Sequence, residues 1–274
     1  MTENFTPTEK TNEIIRAADH NLAAAIRYRI QNAPRGRIFE QDGILTFSIG
    51  HSVVSGHLNG ALRINSEAKP EQLLDQARTF FRSSTSIITF WVREQTDDDL
   101  ETALQSSGLK SVREPGIPCM ILPERLAESP PPANVTLTRV TETKDVADYA
   151  QVMMAAFGLS RDVAEDVFGK VQSLSAANVV AFVARRKKRP IAASMVIQTG
   201  AVAGIYYVGT IPEARGQGLG ELCTRAAADA GFDLGADAVV LQASVAGEPL
   251  YRRMGFQPLT RYKWYRFSPT VVRN

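Results

Sequence analysis

The sequence predicts an α/β chain that folds as two soluble domains with the same order of elements. Its 274 residues are too many for one small module and suit two domains of ordinary size. Three consecutive prolines at residues 130–132 interrupt any helix or central strand, and similar series of helices and strands are predicted on either side. We therefore expect a structural duplication with domains at residues 1–128 and 135–274, joined by a proline-rich linker at residues 129–134.

Composition argues against several classes of protein. The chain is 44% hydrophobic and 22% charged with a formal net charge of +2, so it lacks the basic excess of a dedicated nucleic-acid binder. Its two cysteines, Cys119 and Cys223, cannot build a disulfide framework or a four-ligand zinc site, and the histidines have no metal-ligand spacing. The polar N-terminus and the absence of a long apolar run predict a cytoplasmic protein without a metal, membrane or nucleic-acid partner.

The first half is predicted to begin with a long amphipathic helix and then to alternate between strands and helices. The turn Asp42-Gly43 is typical of a two-residue hairpin, and Pro70 suits the first position of a helix. The predicted elements are a helix at 11–32, a hairpin at 37–49, a helix at 70–81, a strand at 87–92, a helix at 97–106 and a strand at 119–122.

The second half is predicted to repeat this order with more strands. The predicted elements are a strand at 135–140, helices at 144–157 and 161–174, strands at 179–185, 191–198 and 202–210, a helix at 218–231, a strand at 238–244, a helix at 247–254 and a strand at 261–267. The basic run at 185–189 is interpreted as a charged hairpin tip, with contact to phosphate or nucleic acid as the alternative.

The most informative motif is Arg215-Gly216-Gln217-Gly218-Leu219-Gly220, which lies between a strand apolar on both faces and an amphipathic helix. Glycines allow left-handed backbone angles, and the first amides of a helix attract anions. The motif therefore predicts a cradle for a pyrophosphate, with a tight turn of purely geometric purpose as the alternative. Its glycine spacing and late position argue against a dinucleotide-binding fold.

This turn and a later segment resemble the GNAT (GCN5-related) N-acetyltransferase superfamily. The turn is similar to the family's pyrophosphate-binding signature R/Q-x-x-G-x-G/A, and Tyr251, Gly255 and Phe256 fit its later Tyr-x-x-x-Gly-Phe motif. The resemblance covers about residues 135–268 and is faint over 1–128. It implies an α/β (α+β) fold of tandem GNAT-like domains, each a mixed, mostly antiparallel sheet flanked by helices with a central parallel strand pair.

The resemblance also implies a function and a site. The chain would be an acetyl-CoA-dependent N-acetyltransferase that transfers an acyl group directly to a primary amine of a small molecule or peptide. Tyr251 would stand beside the thioester sulfur, where a phenol can act as general acid; a packing tyrosine is the alternative. The implied cofactor-binding residues are Val208, Gly209, Thr210, Arg215, Gly216, Gln217, Gly218, Leu219, Gly220, Glu221 and Ser244, the last of which stands where many members have asparagine.

The first half matches the family only in part. Aligning Gly108 with Gly255 puts Leu104 at the position of Tyr251, so the acid is absent there. We therefore expect a degenerate GNAT-like domain without cofactor chemistry, which walls the acceptor cleft or stabilises the second domain.

Several questions stay open at this stage. The sequence identifies no general base, since Glu248 suits helix capping and Tyr206 and Tyr207 suit the core. A CoA-binding regulatory or scaffold protein without turnover is the alternative function. Nucleic-acid binding through residues 185–189 is a third.

Overall fold

The computed structural model describes residues 9–51 and 57–267, so the outer limits of both predicted domains lie outside the described residues. The described helices are α1 (Glu9–Asn32), α2 (Pro70–Phe80), α3 (Asp98–Ser106), α4 (Thr143–Phe157), α5 (Arg161–Phe168), α6 (Val171–Leu174), α7 (Leu219–Asp233) and α8 (Glu248–Arg253). The strands are β1 (Arg37–Gln41), β2 (Ile44–Ser48), β3 (Asn59–Arg63), β4 (Ile88–Arg93), β5 (Ile117–Leu122), β6 (Thr136–Arg139), β7 (Ser175–Ala176), β8 (Val179–Arg186), β9 (Arg189–Thr199), β10 (Val202–Thr210), β11 (Ala238–Gln242) and β12 (Gln257–Phe267).

The strands form one continuous sheet in the order β1-β2-β3-β4-β12-β5-β11-β10-β9-β8-β6, and the short β7 pairs with β8. Two pairs are parallel, β3 with β4 and β10 with β11, and each is connected through a helix. The other neighbouring strands run antiparallel. The predicted fold class is confirmed: each half has a mostly antiparallel sheet with one parallel pair, flanked by helices.

The two halves exchange their last strands. Strand β5, from the first half, lies between β11 and β12, and β12, from the second half, lies between β4 and β5. Both contacts of β5 are antiparallel ladders, with Val239 opposite Leu122 on one side and Tyr262 opposite Ile117 on the other. Each half therefore completes the sheet of the other. The division at residues 129–134 stays a prediction about chain connectivity.

Helices cover both faces of this sheet. On one face, α1 and α4 to α6 enclose a core that extends over both halves and includes Ile26, Phe47, Tyr149 and Phe168. On the other face, α7 and α8 cover a second core, and α2 and α3 cover a third. None of the helices among the described residues is both long enough and apolar enough to cross a membrane.

The two predicted hairpin turns are confirmed by their backbone angles. Asp42 and Gly43 have φ values of 50° and 78°, and Lys187 and Lys188 have 48° and 68°, so each pair forms a two-residue turn with positive φ at both positions. The basic run is thus the tip of the β8–β9 hairpin, as expected. Arg185 is ion-paired with Asp145 and Asp148 rather than free for a polyanion.

Several elements differ from the prediction; β12, for example, begins at Gln257 and not at residue 261. Strand β3 was not predicted, because Asn59 and Gly60 disfavour a strand and Arg63 is an unusual strand residue to bury. The helix predicted at 161–174 is divided into α5 and α6 where Gly169 caps the first of them. Strand β11 ends at Gln242, so Ser244 belongs to the turn before α8.

A buried ion network lies at the carboxyl ends of the parallel strands of the first half. Arg63 and Arg93, the last residues of β3 and β4, both bind the fully buried carboxylate of Asp97 at 2.8–3.0 Å. Asp19 of α1 also approaches Arg93, at 3.7 Å, and accepts a hydrogen bond from Tyr262. Burial raises the pKa of Asp19 to about 6. The network ties β3, β4, α1 and α3 together.

Replacing Asp97 tests the importance of this network. Asp97→Asn leaves two buried guanidinium groups without their shared counter-ion, so we expect the free energy of unfolding to fall by about 3–5 kcal/mol. The matched control is Asp99→Asn: Asp99 also binds Arg63, but its side chain is 57% exposed, so about 0–1 kcal/mol is expected. If urea unfolding shows that the two variants lose the same free energy of unfolding, Asp97 is not the central counter-ion of the network.

Candidate active site

The parallel strands of the second half separate at their carboxyl ends. Strands β10 and β11 pair only from Val202 opposite Ala238 to Ile205 opposite Leu241. Beyond that point β10 bulges, and Tyr207 takes a φ of 53°, which is strained for a residue with a side chain. The strands diverge there and leave a cleft, at the position where open α/β sheets bind ligands.

The glycine turn follows β10 at one end of this cleft. After a short 3₁₀ turn at Pro212–Ala214, Gly216 and Gly218 take φ values of 74° and 75°, and the buried Leu219 anchors the start of α7. A Cβ atom at Gly216 would meet nothing within 4 Å, so backbone angle rather than space requires glycine there. Among the described residues, the amides of residues 216–221 have no acceptor. The turn is therefore an exposed set of donors at a helix N-terminus, suited to an anion.

Two guanidinium groups accompany the turn. Arg215 is exposed and donates to two backbone carbonyls, those of Thr210 and Ala156, each at 3.3 Å. Arg186, from the β8–β9 hairpin, donates to the side chain of Gln217 at 2.6 Å. The sequence pattern of residues 185–189 indicates only a hairpin tip. It does not reveal that Arg186 lies near the glycine turn, because that proximity depends on the order of strands in the sheet.

Tyr251 lies across the cleft on α8. Its side chain is 8% exposed and packs at an angle against Phe256, with ring centroids 5.8 Å apart. Burial raises the pKa of the Tyr251 phenol to about 12, and a hydrogen bond with the Thr224 side chain offsets part of the shift. The phenol therefore carries its proton at neutral pH and can donate it.

Tyr251 lines a cavity of about 180 Å³, and residues of both halves form its walls. The second half contributes Tyr207, Val208, Ser244 and Tyr251, and the exchanged strand β12 contributes Trp264. The first half contributes Arg29 from α1, His57 and Trp91. The first half thus forms part of the wall of this cavity.

The remaining predicted site residues have structural partners of their own. A Cβ atom on Gly209 would come within 2.9 Å of Ala156 and Phe157, so this glycine lets α4 pack against β10. The Glu221 carboxylate accepts a hydrogen bond from Arg225 at 3.0 Å, and the Ser244 hydroxyl accepts one from the Gly247 amide. Their part in cofactor binding, like that of the other predicted residues, stays a prediction.

The candidate bases are poor proton acceptors. Hydrogen bonding and charge from Arg252 and Arg113 lower the pKa of Glu248. Burial raises the pKa values of Tyr206 and Tyr207, and the Tyr206 hydroxyl is bound to Asn21 at 2.7 Å. Burial, with the positive charge of Arg29, lowers the pKa of His57 to about 3. Within residues 9–51 and 57–267, no cluster of three or more His, Cys, Asp or Glu suits a metal ion.

The residues that the first half places in the cavity were not predicted from the sequence. One signal was present: Arg29 stands within the apolar stripe of α1, between Ile26 and Ile30, where a surface helix carries no charge. His57, Trp91 and Trp264 gave no comparable signal, because their proximity depends on the strand exchange.

The expected correspondence between Leu104 and Tyr251 agrees with the local geometry. Gly108 and Gly255 both take left-handed angles after a helix, with φ of 80° and 98°. The residue that follows each glycine donates its amide to the carbonyl of Leu104 or Tyr251, respectively. The two helix ends are therefore equivalent, and Leu104 has no proton to donate.

Comparisons with known proteins agree with this architecture. A model of the acetyltransferase (GNAT) family matches residues 151–256. A GCN5-related N-acetyltransferase from Kribbella flavida is similar in structure, with a TM-score of 0.69 and 20% identity over 91% of this chain and 95% of that one. A tandem GNAT protein from the clavulanic acid biosynthesis pathway has a TM-score of 0.60 and 14% identity, covering 96% and 98%.

A third similar structure is a GCN5-related N-acetyltransferase from Sphaerobacter thermophilus, with a TM-score of 0.61 and 14% identity over 83% of this chain and 81% of that one. No curated protein matches the chain. At these identities the structural neighbours establish the fold alone, and the family model matches less than half of the chain. Residues 151–256 of this chain are thus similar to the acetyltransferase (GNAT) family, and the fold of the whole chain is similar to that of solved GCN5-related and tandem GNAT proteins.

Proposed function

We propose that the protein is an acetyl-CoA-dependent N-acetyltransferase that transfers the acyl group directly to a primary amine. The observation that carries the proposal is the cleft between β10 and β11, with the glycine turn at one end and the protonated phenol of Tyr251 beside it. The second half would hold the cofactor and the acid, and both halves would hold the acceptor.

The residues of the cleft fit the parts of acetyl-CoA. The amides of residues 216–221 suit its pyrophosphate, and the side chains of Arg215 and Arg186 add positive charge beside them. Within the described residues, the stretch of β10 at 206–210 has no strand partner on the β11 side, so its peptide groups can bind the amides of the pantetheine arm. When bound, acetyl-CoA supplies an acyl group activated as a thioester.

Tyr251 supplies the proton that acyl transfer requires. Its phenol oxygen holds a proton at neutral pH, as an ordinary tyrosine does, and burial extends that range upward by raising the pKa to about 12. The phenol can pass this proton to the departing thiolate, and the proton that the amine nitrogen loses as the amide forms then restores the phenol. The acceptor amine must arrive without its proton, since Glu248 is ion-paired and His57 binds protons weakly. A proton donor in the cavity favours turnover over the alternative of a scaffold that only binds CoA.

We also propose that the first half holds no second cofactor. At the carboxyl ends of β3 and β4, where the second half has its glycine turn and cleft, the first half has the ion network of Arg63, Arg93 and Asp97. Helix α2 starts with Pro70, which has no amide hydrogen to offer an anion. Leu104 replaces the acid.

Replacing the Tyr251 phenol tests its role. We expect Tyr251→Phe to lower kcat by about 10²–10⁴-fold, the usual contribution of a general acid, while acetyl-CoA binding measured by calorimetry is retained. The rate is measured as release of free thiol from acetyl-CoA with a panel of amines. The protein's own thiols do not interfere, because Cys119 and Cys223 are buried and burial raises the pKa of each to about 12.

The matched control is Tyr149→Phe. Tyr149 is also buried, but its hydroxyl has no hydrogen-bond partner among the described residues and it does not line the cavity. This variant should turn over like the wild type. If no amine is acetylated faster by the wild type than by Tyr251→Phe, Tyr251 is not the acid.

The pH profile gives a separate test. Tyr251 acts in its protonated form, and because its pKa is raised to about 12, that form persists as pH rises. We expect kcat/KM to rise with pH as the amine loses its proton, without a descending limb below about pH 11. A fall between pH 8 and 10, while circular dichroism shows the fold intact, would contradict the assignment.

A further inference from the structure

Arg29 carries a buried positive charge with only neutral partners. Arg29 is 6% exposed. Its guanidinium donates hydrogen bonds to the Ala25 carbonyl, the Tyr207 hydroxyl and the His57 carbonyl. Among the described residues, no carboxylate pairs with it. The comparably buried Arg63 and Arg93, by contrast, share the carboxylate of Asp97.

The aromatic wall of the same cavity is formed by two tryptophans whose indole N–H groups point away from its accessible space. Trp91 and Trp264 both line the cavity with Arg29, and their rings meet edge to face at 4.9 Å. The indole Nε1 of each is buried without a hydrogen-bond partner in the described part of the chain. An indole nitrogen only donates, and a buried donor without an acceptor costs free energy.

The charge of Arg29 is the feature of this cavity that points to a ligand. A buried charge without a counter-ion is costly in a folded protein, and an anion that accepts a hydrogen bond from Arg29 would offset that cost. The same charge repels a second cationic group, so polyamines and other multiply charged amines are disfavoured. The fixed fork of a guanidinium matches the two oxygens of a carboxylate.

The size of the cavity limits the acceptor further. Its volume of about 180 Å³ lies below the range of about 300–1,000 Å³ that is usual for ligand pockets. The aromatic side chains of Trp91, Tyr207 and Trp264 form part of the cavity wall. Such a space suits a compact molecule with one anionic end.

We propose that the acceptor is a small amine that also carries a carboxylate, as an amino acid does, and that Arg29 binds this carboxylate in the cavity that Tyr251 lines, between the rings of Trp91 and Trp264. This assignment rests on the proposed function for its amine and deepens it by naming the substrate class. Arg29 is then a specificity-determining residue contributed by the half of the chain that has no glycine turn.

The test compares matched substrates and variants. L-Amino acids of increasing size are offered beside their neutral amides, and kcat/KM is measured for the wild type and for Arg29→Gln. We expect the wild type to prefer the carboxylate form by about 30-fold or more, the effect of one buried charge pair. Arg29→Gln should lose this preference through a higher KM for the amino acid, with little change for the amide. Arg29→Lys should restore it in part.

Two controls separate specificity from folding. Arg27→Gln changes another arginine of α1, which pairs with Glu40 at 2.6 Å outside the cavity, and should leave the preference intact. Acetyl-CoA binding by calorimetry should be the same for Arg29→Gln and the wild type.

A binding measurement distinguishes the two proposals. N-acetylated amino acids and their amides are titrated into the protein, which needs no turnover. Turnover of amino acids and amides alike, unchanged in Arg29→Gln, would overturn the carboxylate site and leave the acetyltransferase function standing. Carboxylate binding that requires Arg29, without turnover of any amine, would support the site and overturn the function. Neither turnover nor Arg29-dependent binding would overturn both.

Discussion

The exchange of β5 and β12 is the constraint on which the rest of the structure depends. Strand β11 forms one side of the cleft, and its outer edge is paired by β5 from the other half. Without β5, β11 and β12 would each lose a partner, and unpaired strand edges invite aggregation. The first half therefore stabilises the second through backbone hydrogen bonds, whatever its own chemistry. The same exchange brings Trp264 next to Trp91 and so builds one wall of the cavity.

The two halves show how one architecture supports different chemistry. Each has a parallel strand pair whose carboxyl ends are the natural ligand position. In the second half, a bulge, two left-handed glycines and a phenol follow these ends. In the first half, arginines at the ends of β3 and β4 share the carboxylate of Asp97. At these ends the first half thus has a closed network of internal charges, and the second has backbone amides without acceptors among the described residues.

Two sets of hydrogen-bond donors characterise the proposed site. At the glycine turn they are backbone amides without an acceptor among the described residues, with the guanidinium groups of Arg215 and Arg186 beside them, suited to the phosphates of a large, well-solvated cofactor. In the cavity, the second set belongs to the buried guanidinium of Arg29, which has only uncharged partners in the described part of the chain and suits a small anion shielded from water. Tyr251 lies in the cavity with the second set, and its raised pKa follows from the same burial. Desolvation therefore keeps the phenol protonated to higher pH and also underlies the proposed selectivity.

Many helices and strands of the second half were predicted from the sequence, because apolar runs and glycine turns within a few residues determine them. The bounds of β10 follow from its apolar run, and the start of α7 follows from the glycine turn. Strand β3 was missed because tertiary burial overrides the poor strand propensity of Asn59 and Gly60. The exchange of β5 and β12 was not predictable, since pairing between distant strands leaves no local trace. For the same reason the sequence did not reveal that Arg29, Trp91 and Arg186 would lie near the predicted site.

The central claim is that one chain binds one acetyl-CoA, at the glycine turn of its second half. Calorimetric titration of Gly218→Glu against Gly200→Glu tests it most directly, because both glycines have positive φ, 75° and 57°, and a Cβ atom added at either would have no neighbour closer than 3.6 Å. The two substitutions thus introduce the same charge and similar strain, but only the first lies in the proposed cradle. We expect a stoichiometry of one for the wild type and Gly200→Glu and no binding for Gly218→Glu. Two sites per chain, or undiminished binding by Gly218→Glu, would contradict the claim.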